Sequence, residues 1–269
     1  MEEIDAIAFP QEAATSAVNN IVKQCPMRIA VIADIHSNDL ALAAVLEDIK
    51  KTGVERIVHL GDAFNGPIDP CAVALMLKEC NAVHVRGNGD RMVCDPAYLN
   101  PSKSALFARA RLSGDTIAFA ASWPAVFQQE DWLACHGSPR SDTEYLLEEV
   151  TPAGVCIKSP EKIIELLGGA RASLVLCGHT HVPRVIGIPD GCVIVNPGSV
   201  GLSAYSEDLP VSHKMETGSP HARYAVVERT SAGWQVSLRA IPYDWERAAA
   251  IAMQNGFPDW AKPLLTGYA

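Results

Sequence analysis

The stretch Met27–Asn38 reads MRIAVIADIHSN, an apolar run that ends abruptly in polar residues. Side chains of a strand alternate between its two faces, and both sets are apolar here, so the run predicts a β-strand buried on both sides. Asp34 and His36 follow it directly. Ligands of open α/β sheets bind beyond the carboxyl ends of strands, so this end is a candidate site.

The residues after this stretch alternate between helix and strand patterns. In order they are a helix (39–53, ending at Gly53), a strand (55–62), a helix (69–80, with Asp69 as N-cap and Pro70 in its first turn) and a strand (81–90). Strands separated by helices at this spacing pair in parallel through crossover connections.

The second half predicts a more antiparallel arrangement. Residues 95–130 predict helices, and 138–154 predict a loop with a short helix. Strands are expected within 131–137, 172–181, 191–201, 223–230 and 234–243, the last two as an antiparallel hairpin, and a helix within 159–171. Residues 203–221 predict a long polar loop, which suggests a lid or binding loop. We divide the chain into an N-terminal extension, 1–26, with one short helix between Gln11 and Gln24, and a single domain, 27–269.

Composition narrows the partners. The net charge of the 269 residues is −9 and no basic run occurs, so nucleic acid is an unlikely partner. None of the eight cysteines forms a C-x-x-C pair, and several lie in apolar runs, which indicates buried reduced thiols. With no secretory signal or apolar run of membrane-spanning length, we expect a cytoplasmic protein that does not enter a membrane.

Residues able to bind metal recur at the predicted strand ends. They are Asp34 and His36, Asp62, Asn88, His136, and the pair His179 and His181. Singly, each is more typical of a turn, a cap or a buried hydrogen-bonded side chain. Together they predict two ions, with Asp34, His36 and His181 on one, Asn88, His136 and His179 on the other, and Asp62 bridging. Mixed nitrogen and oxygen ligands suit manganese, iron or zinc better than calcium.

The blocks DIHSN, GDAFNG, RGNGD, CHGSP, GHTHVP and VNPGSVG, between about Met27 and Val227, resemble those of calcineurin-like metallophosphoesterases, and most closely their small prokaryotic phosphodiesterase branch. The resemblance implies an α/β fold: a four-layer α/β/β/α sandwich with two mixed β-sheets flanked by helices. It implies two divalent metal ions, manganese first, with iron, zinc, nickel or magnesium as alternatives. The first ion would take Asp34, His36, Asp62 and His181; the second would take Asp62, Asn88, His136 and His179.

The same resemblance implies hydrolysis of a small phosphorylated substrate by in-line attack of a hydroxide that bridges the ions. Many family members have GNH where this chain has Gly87-Asn88-Gly89. That histidine is taken to protonate the leaving group, so Gly89 implies that the donor is missing. We therefore expect a preference for diesters or activated esters, with Asp90 in a structural role. His213 and His221 in the long loop are candidate replacements for the donor, although surface histidines are the more common case.

The sequence evidence for a functional role is weaker at other positions. Asn38, Arg91 and Arg140 are candidate phosphate contacts, with a turn or surface role as the alternative for each. Ser199 and Gly198 are expected to shape the backbone beneath the metals, and His59 and His84 to be core residues.

Alternative functions are a phosphomonoesterase (a protein or nucleotide phosphatase), a dinucleoside polyphosphate hydrolase, or a metal-free binding scaffold of the same fold. An oligomer is possible, and neither the substrate nor the native metal follows from the sequence.

Overall fold

The structure, a computed structural model, describes residues 27–209 and 211–269. The extension predicted for 1–26 lies outside the described residues. The strands are β1 (Arg28–Ile32), β2 (Arg56–His59), β3 (Ala82–His84), β4 (Val126–Gln129), β5 (Trp132–Cys135), β6 (Glu148–Thr151), β7 (Gly154–Ile157), β8 (Leu174–Leu176), β9 (Arg184–Gly187), β10 (Val193–Asn196), β11 (Ala204–Glu207), β12 (His213–Glu216), β13 (Ala222–Thr230) and β14 (Gly233–Ile241). The helices are α1 (Asp39–Lys50), α2 (Pro70–Glu79), α3 (Asn88–Cys94), α4 (Lys103–Arg109), α5 (Gly114–Ala121), α6 (Pro160–Leu167), α7 (Trp245–Gln254) and α8 (Ala261–Thr266), with a 3₁₀ turn at Pro258–Trp260.

Two five-stranded mixed sheets form the centre of the fold. The first has the order β14-β13-β1-β2-β3, in which β1, β2 and β3 are parallel and the hairpin β13–β14 is antiparallel. The second has the order β4-β5-β8-β10-β9, with a parallel centre and antiparallel edge strands. The parallel pairing predicted for the first half and the C-terminal hairpin are both confirmed.

The core has three apolar layers. Between the sheets, Val31 and Val58 of the first pack with Trp132 and Leu176 of the second. Helices α1 to α5 cover the outer face of the first sheet, and α6 covers that of the second through residues such as Ile163. Full burial of such a side chain stabilises the fold by about 1.5–3 kcal/mol. Four layers result, so the predicted α/β/β/α sandwich is confirmed.

Three local predictions were wrong. Residues 138–154 contain no helix; instead β6 pairs with β7. The end of 95–130 is the edge strand β4. The supposed loop 203–221 contains the hairpin β11–β12. In β12 buried residues, His213 and Met215, alternate with exposed ones, which is the two-residue period of a half-buried strand.

Smaller features agree with the sequence. Asp69 and Ser159 accept hydrogen bonds from the first turns of α2 and α6. Cys135, Cys177 and Cys192, which lie in apolar runs, are buried thiols. Within the described residues, no helix has the length and apolar character needed to span a membrane.

Candidate metal centre

The carboxyl ends of the parallel strands in both sheets meet at one edge of the sandwich. Residues 34 and 36 follow β1, Asp62 follows β2, and Asn88 follows β3. From the second sheet, His136 follows β5, and residues 179 and 181 follow β8. The structure therefore brings all seven predicted ligands to the same edge.

Five of these residues have a strained backbone. The φ angles are 55° for Asp34, 49° for His36, 56° for Asp62, 69° for His179 and 60° for His181. The left-handed region is rare outside glycine and costs on the order of 1–3 kcal/mol per residue. Such strain persists where the surrounding structure enforces it, and it concentrates at functional sites.

One cluster is formed by Asp34, His36 and His181, whose ligand atoms lie within 4.8 Å of one another. The Nε2 atoms of the two histidines are 3.1 Å apart. Nδ1 of His36 lies 2.6 Å from the Asn65 carbonyl oxygen, and Nδ1 of His181 lies 2.6 Å from that of Leu202. Nδ1–H must donate to these carbonyls, so each Nε2 presents a lone pair to the centre.

A second cluster is formed by Asp34, Asp62 and His136. Nδ1 of His136 lies 2.8 Å from the Leu60 carbonyl, which again leaves Nε2 as an acceptor. That Nε2 is 3.0 Å from Oδ1 of Asn88, so two acceptors face each other when the His136 ring is neutral. The ring of His179 lies 5.0 Å from the ring of His136, centroid to centroid. These contacts place all four predicted second-ion residues side by side.

Asp62 lies between the two clusters. Its Oδ1 is 3.5 Å from Nε2 of His136, and its Oδ2 is 4.0 Å from Nε2 of His36. The Gly89 amide donates to Oδ1 at 2.7 Å and fixes the carboxylate. A Cβ at Gly87 would lie 2.1 Å from the same Oδ1, so glycine is required for this close approach. The carboxylate thus faces both clusters, as a bridging ligand must.

The centre is electrostatically suited to cations. Burial alone would raise the pKa of Asp34, but neighbouring histidines, above all His181, hold it well below its usual range. Burial alone would lower the pKa of His136, yet the charges of Asp62 and Asp34 raise it. A site that stabilises a proton on a fully buried imidazole is a site of negative potential.

The donor set fits a divalent metal. Oδ1 of Asp34 is buried and makes no well-aligned hydrogen bond within the described residues, although Nε2 of His181 lies 3.4 Å away. A buried carboxylate oxygen without a partner is costly, and paired imidazole lone pairs repel; a cation between these atoms removes both penalties. Imidazole nitrogen with carboxylate and amide oxygen is chemistry for manganese, iron, zinc or nickel.

Comparison with known proteins agrees with this geometry. Residues 27–217 match the sequence profile of the calcineurin-like phosphoesterase superfamily domain. The chain belongs to this superfamily. An uncharacterised protein of Methanocaldococcus jannaschii is 24% identical over 257 residues, which cover 86% of this chain and 94% of that protein.

Solved structures give the same picture. A metallophosphoesterase from Sphaerobacter thermophilus is 25% identical, with a TM-score of 0.70 over 90% of this chain and 99% of its own. A hypothetical protein from Pyrococcus horikoshii shares the fold, with a TM-score of 0.68 at 19% identity over 89% of this chain and 98% of its own. The family resemblance is therefore confirmed, and with it membership in a family of phosphoric ester hydrolases.

One predicted substrate contact of this phosphoesterase is not supported. Asn38 is buried and caps α1, where its Oδ1 accepts from the Ala41 amide. Its Nδ2 donates to the Gly201 carbonyl and to the Tyr243 hydroxyl. Both N–H groups are used inside the fold, so Asn38 has none left for a phosphate.

The two candidate arginines differ. Arg91 makes a two-pronged ion pair with Asp142, at 2.7 Å and 2.8 Å. Burial alone would raise the pKa of Asp142, but Arg91 lowers it, and the charges of His136 and His179 lower it further. Arg140 is more exposed and pairs with Glu144 at 3.2 Å. Arg91 is therefore the candidate arginine whose partner, Asp142, responds to the charges of the second-ion histidines.

The contacts of Asp90 confirm its structural role. Its carboxylate accepts from the amides of Asp62, Ala63 and Gly87 at 2.8–3.1 Å. Burial, and then the charge of Asp62, raise its pKa to about 7. Asp90 thereby fixes the loop that carries the bridging carboxylate.

Gly89 does not mark an open space. A Cβ there would lie 2.7 Å from Cβ of Asn65 and 2.9 Å from Oδ2 of Asp62. Asn65 is itself held by Ser102 and Ser104, whose hydroxyls donate to its Oδ1. The donor is therefore missing, as the sequence implies, and neighbouring side chains occupy the space beside Gly89.

The structure also bears on the predictions for Ser199, His59 and His84. The Ser199 hydroxyl donates to the Asp34 carbonyl at 2.8 Å and supports the first-ion loop from below. His59 is fully buried, and His84 stacks on Trp123 at 4.7 Å. His59 is therefore a core residue, as predicted, whereas His84 is only half-buried and lies at the edge of the core.

Two aromatic residues beside the centre were missed. The Tyr145 hydroxyl lies 2.8 Å from that of Tyr205 and 3.1 Å from Nε2 of His213, while the Tyr145 ring lies 5.1 Å from the His179 ring. Tyr205 also packs on His181, at 4.7 Å between ring centroids. His213 was noted as a loop histidine, but no sequence signal links it to Tyr145, 68 residues away.

Proposed function

We propose that this phosphoesterase is a dinuclear-metal phosphodiesterase that prefers manganese and acts on a small phosphorylated substrate. The observation that carries the proposal is the pair of donor clusters that share Asp34 and face Asp62. Two divalent ions would supply Lewis acidity, neutralising the phosphate oxygens and making water a better nucleophile at neutral pH.

The chain's own residues would bind the two ions and the phosphate. Asp34, His36 and His181 would hold the first ion, and Asn88, His136 and His179 the second, with Asp62 between them. Hydrogen bonds from Nδ1 to backbone carbonyls would keep Nε2 of His36, His136 and His181 aimed at the ions. Asp142 would orient Arg91 by binding two of its guanidinium nitrogens. The third nitrogen, which is outside the ion pair, would contact a phosphate oxygen.

The preference for diesters is supported by the surroundings of Gly89. No histidine stands at the start of α3, and Asn65 and Asp62 occupy the adjoining space. General acid catalysis is typically worth about 10²–10⁴-fold, so without such a donor, monoesters with poor leaving groups would react slowly.

One observation favours the phosphomonoesterase alternative. The Tyr145 hydroxyl, linked to Tyr205 and His213, is an O–H donor beside the second cluster. Were it to protonate the leaving oxygen, the absence of a histidine at position 89 would matter less.

The test is a substrate comparison on the full-length protein, stripped with chelator and reloaded separately with Mn²⁺, Ni²⁺, Zn²⁺ or Mg²⁺. We expect bis(p-nitrophenyl) phosphate to be cleaved with higher kcat/KM than p-nitrophenyl phosphate, and chelator to abolish both activities. A higher kcat/KM for the monoester would establish the phosphomonoesterase alternative. Fully metallated protein that cleaves neither would favour the scaffold. Asp34→Asn should lose activity, whereas His221→Asn should keep it, because the His221 ring packs against Trp245, 5.3 Å away between centroids, and against none of the seven ligands within the described residues.

A further inference from the structure

A cavity of about 320 Å³ lies beside the first cluster. Its lining includes the aromatic rings of Tyr205 and Trp260 and the apolar residues Leu202, Ala204 and Pro263. Pockets for small organic ligands have volumes of about 300–1,000 Å³ and are mostly apolar with a few polar groups. We call this cavity the aromatic pocket.

The pocket adjoins the metal ligands through its two aromatic walls. The Trp260 ring lies edge-on to the ring of His36, with centroids 5.9 Å apart. The Tyr205 ring lies edge-on to that of His181 at 4.7 Å, and its hydroxyl lies 3.3 Å from the His179 carbonyl oxygen. The two aromatic walls of the pocket are therefore also direct neighbours of two first-cluster histidines, which puts the pocket within one side chain of a phosphate held there.

The charges of the lining disfavour a second phosphate. Asp259 contributes a carboxylate, and no hydrogen bond or ion pair occupies its side chain within the described residues. Lys262 also lines the pocket, and its Nζ donates to the Ala269 carbonyl oxygen at 3.1 Å. A pocket with two aromatic walls and no excess of positive charge suits a neutral planar group, which stacks on or meets the edges of aromatic rings.

We propose that the aromatic pocket binds the planar ring of a phosphate ester, and that the substrates are esters of nucleosides. This rests on the proposed phosphoesterase function. Base–aromatic contacts tolerate any base because each base has a π face, so the pocket would select nucleosides as a class. The specificity would reside in Tyr205 and Trp260, which lie outside the metal ligands.

The first measurement compares two diesters with the same leaving group. The p-nitrophenyl ester of thymidine 5′-monophosphate and methyl p-nitrophenyl phosphate both release p-nitrophenolate, so a difference in kcat/KM reports on the retained group. We expect kcat/KM to be about tenfold higher for the thymidine ester. Trp260→Leu, which keeps apolar volume without the ring, should reduce this ratio towards one. Trp260→Phe, the matched control, should keep most of it.

The second measurement needs neither metal nor turnover. Saturation-transfer NMR on chelator-treated full-length protein with adenosine should give stronger saturation of the base protons than of the ribose protons. The base signal should weaken in Trp260→Leu and persist in Trp260→Phe, with circular dichroism confirming that both variants are folded.

The two measurements separate the two proposals. Equal kcat/KM for the two diesters, with no preferential saturation of the base, overturns the aromatic pocket and leaves the phosphodiesterase intact. Base saturation that depends on Trp260, in a metallated protein that cleaves neither diester, refutes the phosphodiesterase and keeps the pocket as a nucleoside site. Base saturation unchanged in Trp260→Leu also overturns the assignment.

Discussion

The Nε2 atoms of His36 and His181 face each other at 3.1 Å, and in its neutral form each ring presents a lone pair to the other. Each uses its Nδ1–H on a backbone carbonyl. Burial, and then the charge that a protonated His181 would carry, lower the pKa of His36, so the two rings are not protonated together. Two lone pairs at this distance repel unless a cation joins them, and this contact is the sharpest sign of a metal in the fold.

His36→Asn should therefore lower the affinity for metal more than it lowers the stability of the metal-free protein. We expect the rise in melting temperature on addition of Mn²⁺ to shrink, since a tenfold weaker Kd removes about 1.4 kcal/mol of ligand-linked stability. Differential scanning fluorimetry across a Mn²⁺ series measures this. His221→Asn should keep the full rise; an equal loss in both variants would argue against a specific site.

Gly89→Ala should loosen the bridging carboxylate, because the added Cβ would lie 2.9 Å from Oδ2 of Asp62. We expect metal affinity to fall about tenfold or more, by titration calorimetry. Gly114→Ala at the start of α5 is the matched control, because a Cβ there meets nothing within 4 Å. For the same steric reason Gly89→His should not raise monoester turnover; a rise would show that position 89 can accommodate a donor.

Asn38→Asp should destabilise the fold without changing substrate affinity. The substitution keeps the capping oxygen but loses both Nδ2 donations and buries a carboxylate. We expect a loss of about 1–3 kcal/mol in urea unfolding and a nearly unchanged KM. Asp69→Asn, at the exposed cap of α2, should cost far less stability. A large KM effect at Asn38 would restore it as a substrate contact.

Arg91→Gln should raise KM for a diester, since Arg91 is the arginine linked through Asp142 to the second cluster. A lost charged hydrogen bond of about 1.5–3 kcal/mol corresponds to roughly a 10- to 150-fold effect. Arg140→Gln should have little effect on KM, because this arginine is exposed and paired with Glu144. In steady-state kinetics, a large rise in KM for Arg140→Gln with little change for Arg91→Gln would contradict the assignment.

The metal-free protein should lose stability as the pH falls from about 6.5 to about 4. Burial lowers the pKa of His84 from 6.5 to about 4, so between these values the unfolded chain binds a proton that the folded chain does not. His84→Phe keeps a ring against Trp123 and removes this titration. Urea unfolding of chelator-treated protein at several pH values should show a shallower slope for the variant; identical slopes would refute the assignment.

Short-range patterns predicted the parallel strands and the convergence of seven polar side chains at their ends, whereas the four-layer sandwich was implied by the family resemblance. Apolar runs identify the parallel strands, and ligands such as Asp34 and Asp62 come directly after them, so topology alone assembles the centre. The hairpin β11–β12 was missed because its alternation spans only four residues per strand in a polar segment.

The residues around the centre depend on tertiary contacts that no local pattern encodes. Asn38 acts as a cap and a buried donor only because Gly201 and Tyr243 lie against it, more than 160 residues away. The crowding at Gly89 comes from Asn65, which belongs to the loop after β2. Trp260 reaches the metal ligands only through the packing of the C-terminal segment.

Electron paramagnetic resonance of Mn²⁺-loaded protein tests most directly whether two metal ions share Asp62. We expect two Mn²⁺ per chain with the exchange-coupled spectrum of a bridged pair, and a change to an uncoupled six-line spectrum or loss of metal in Asp62→Asn. A wild-type protein that binds one ion, or two ions without coupling, would refute a shared Asp62.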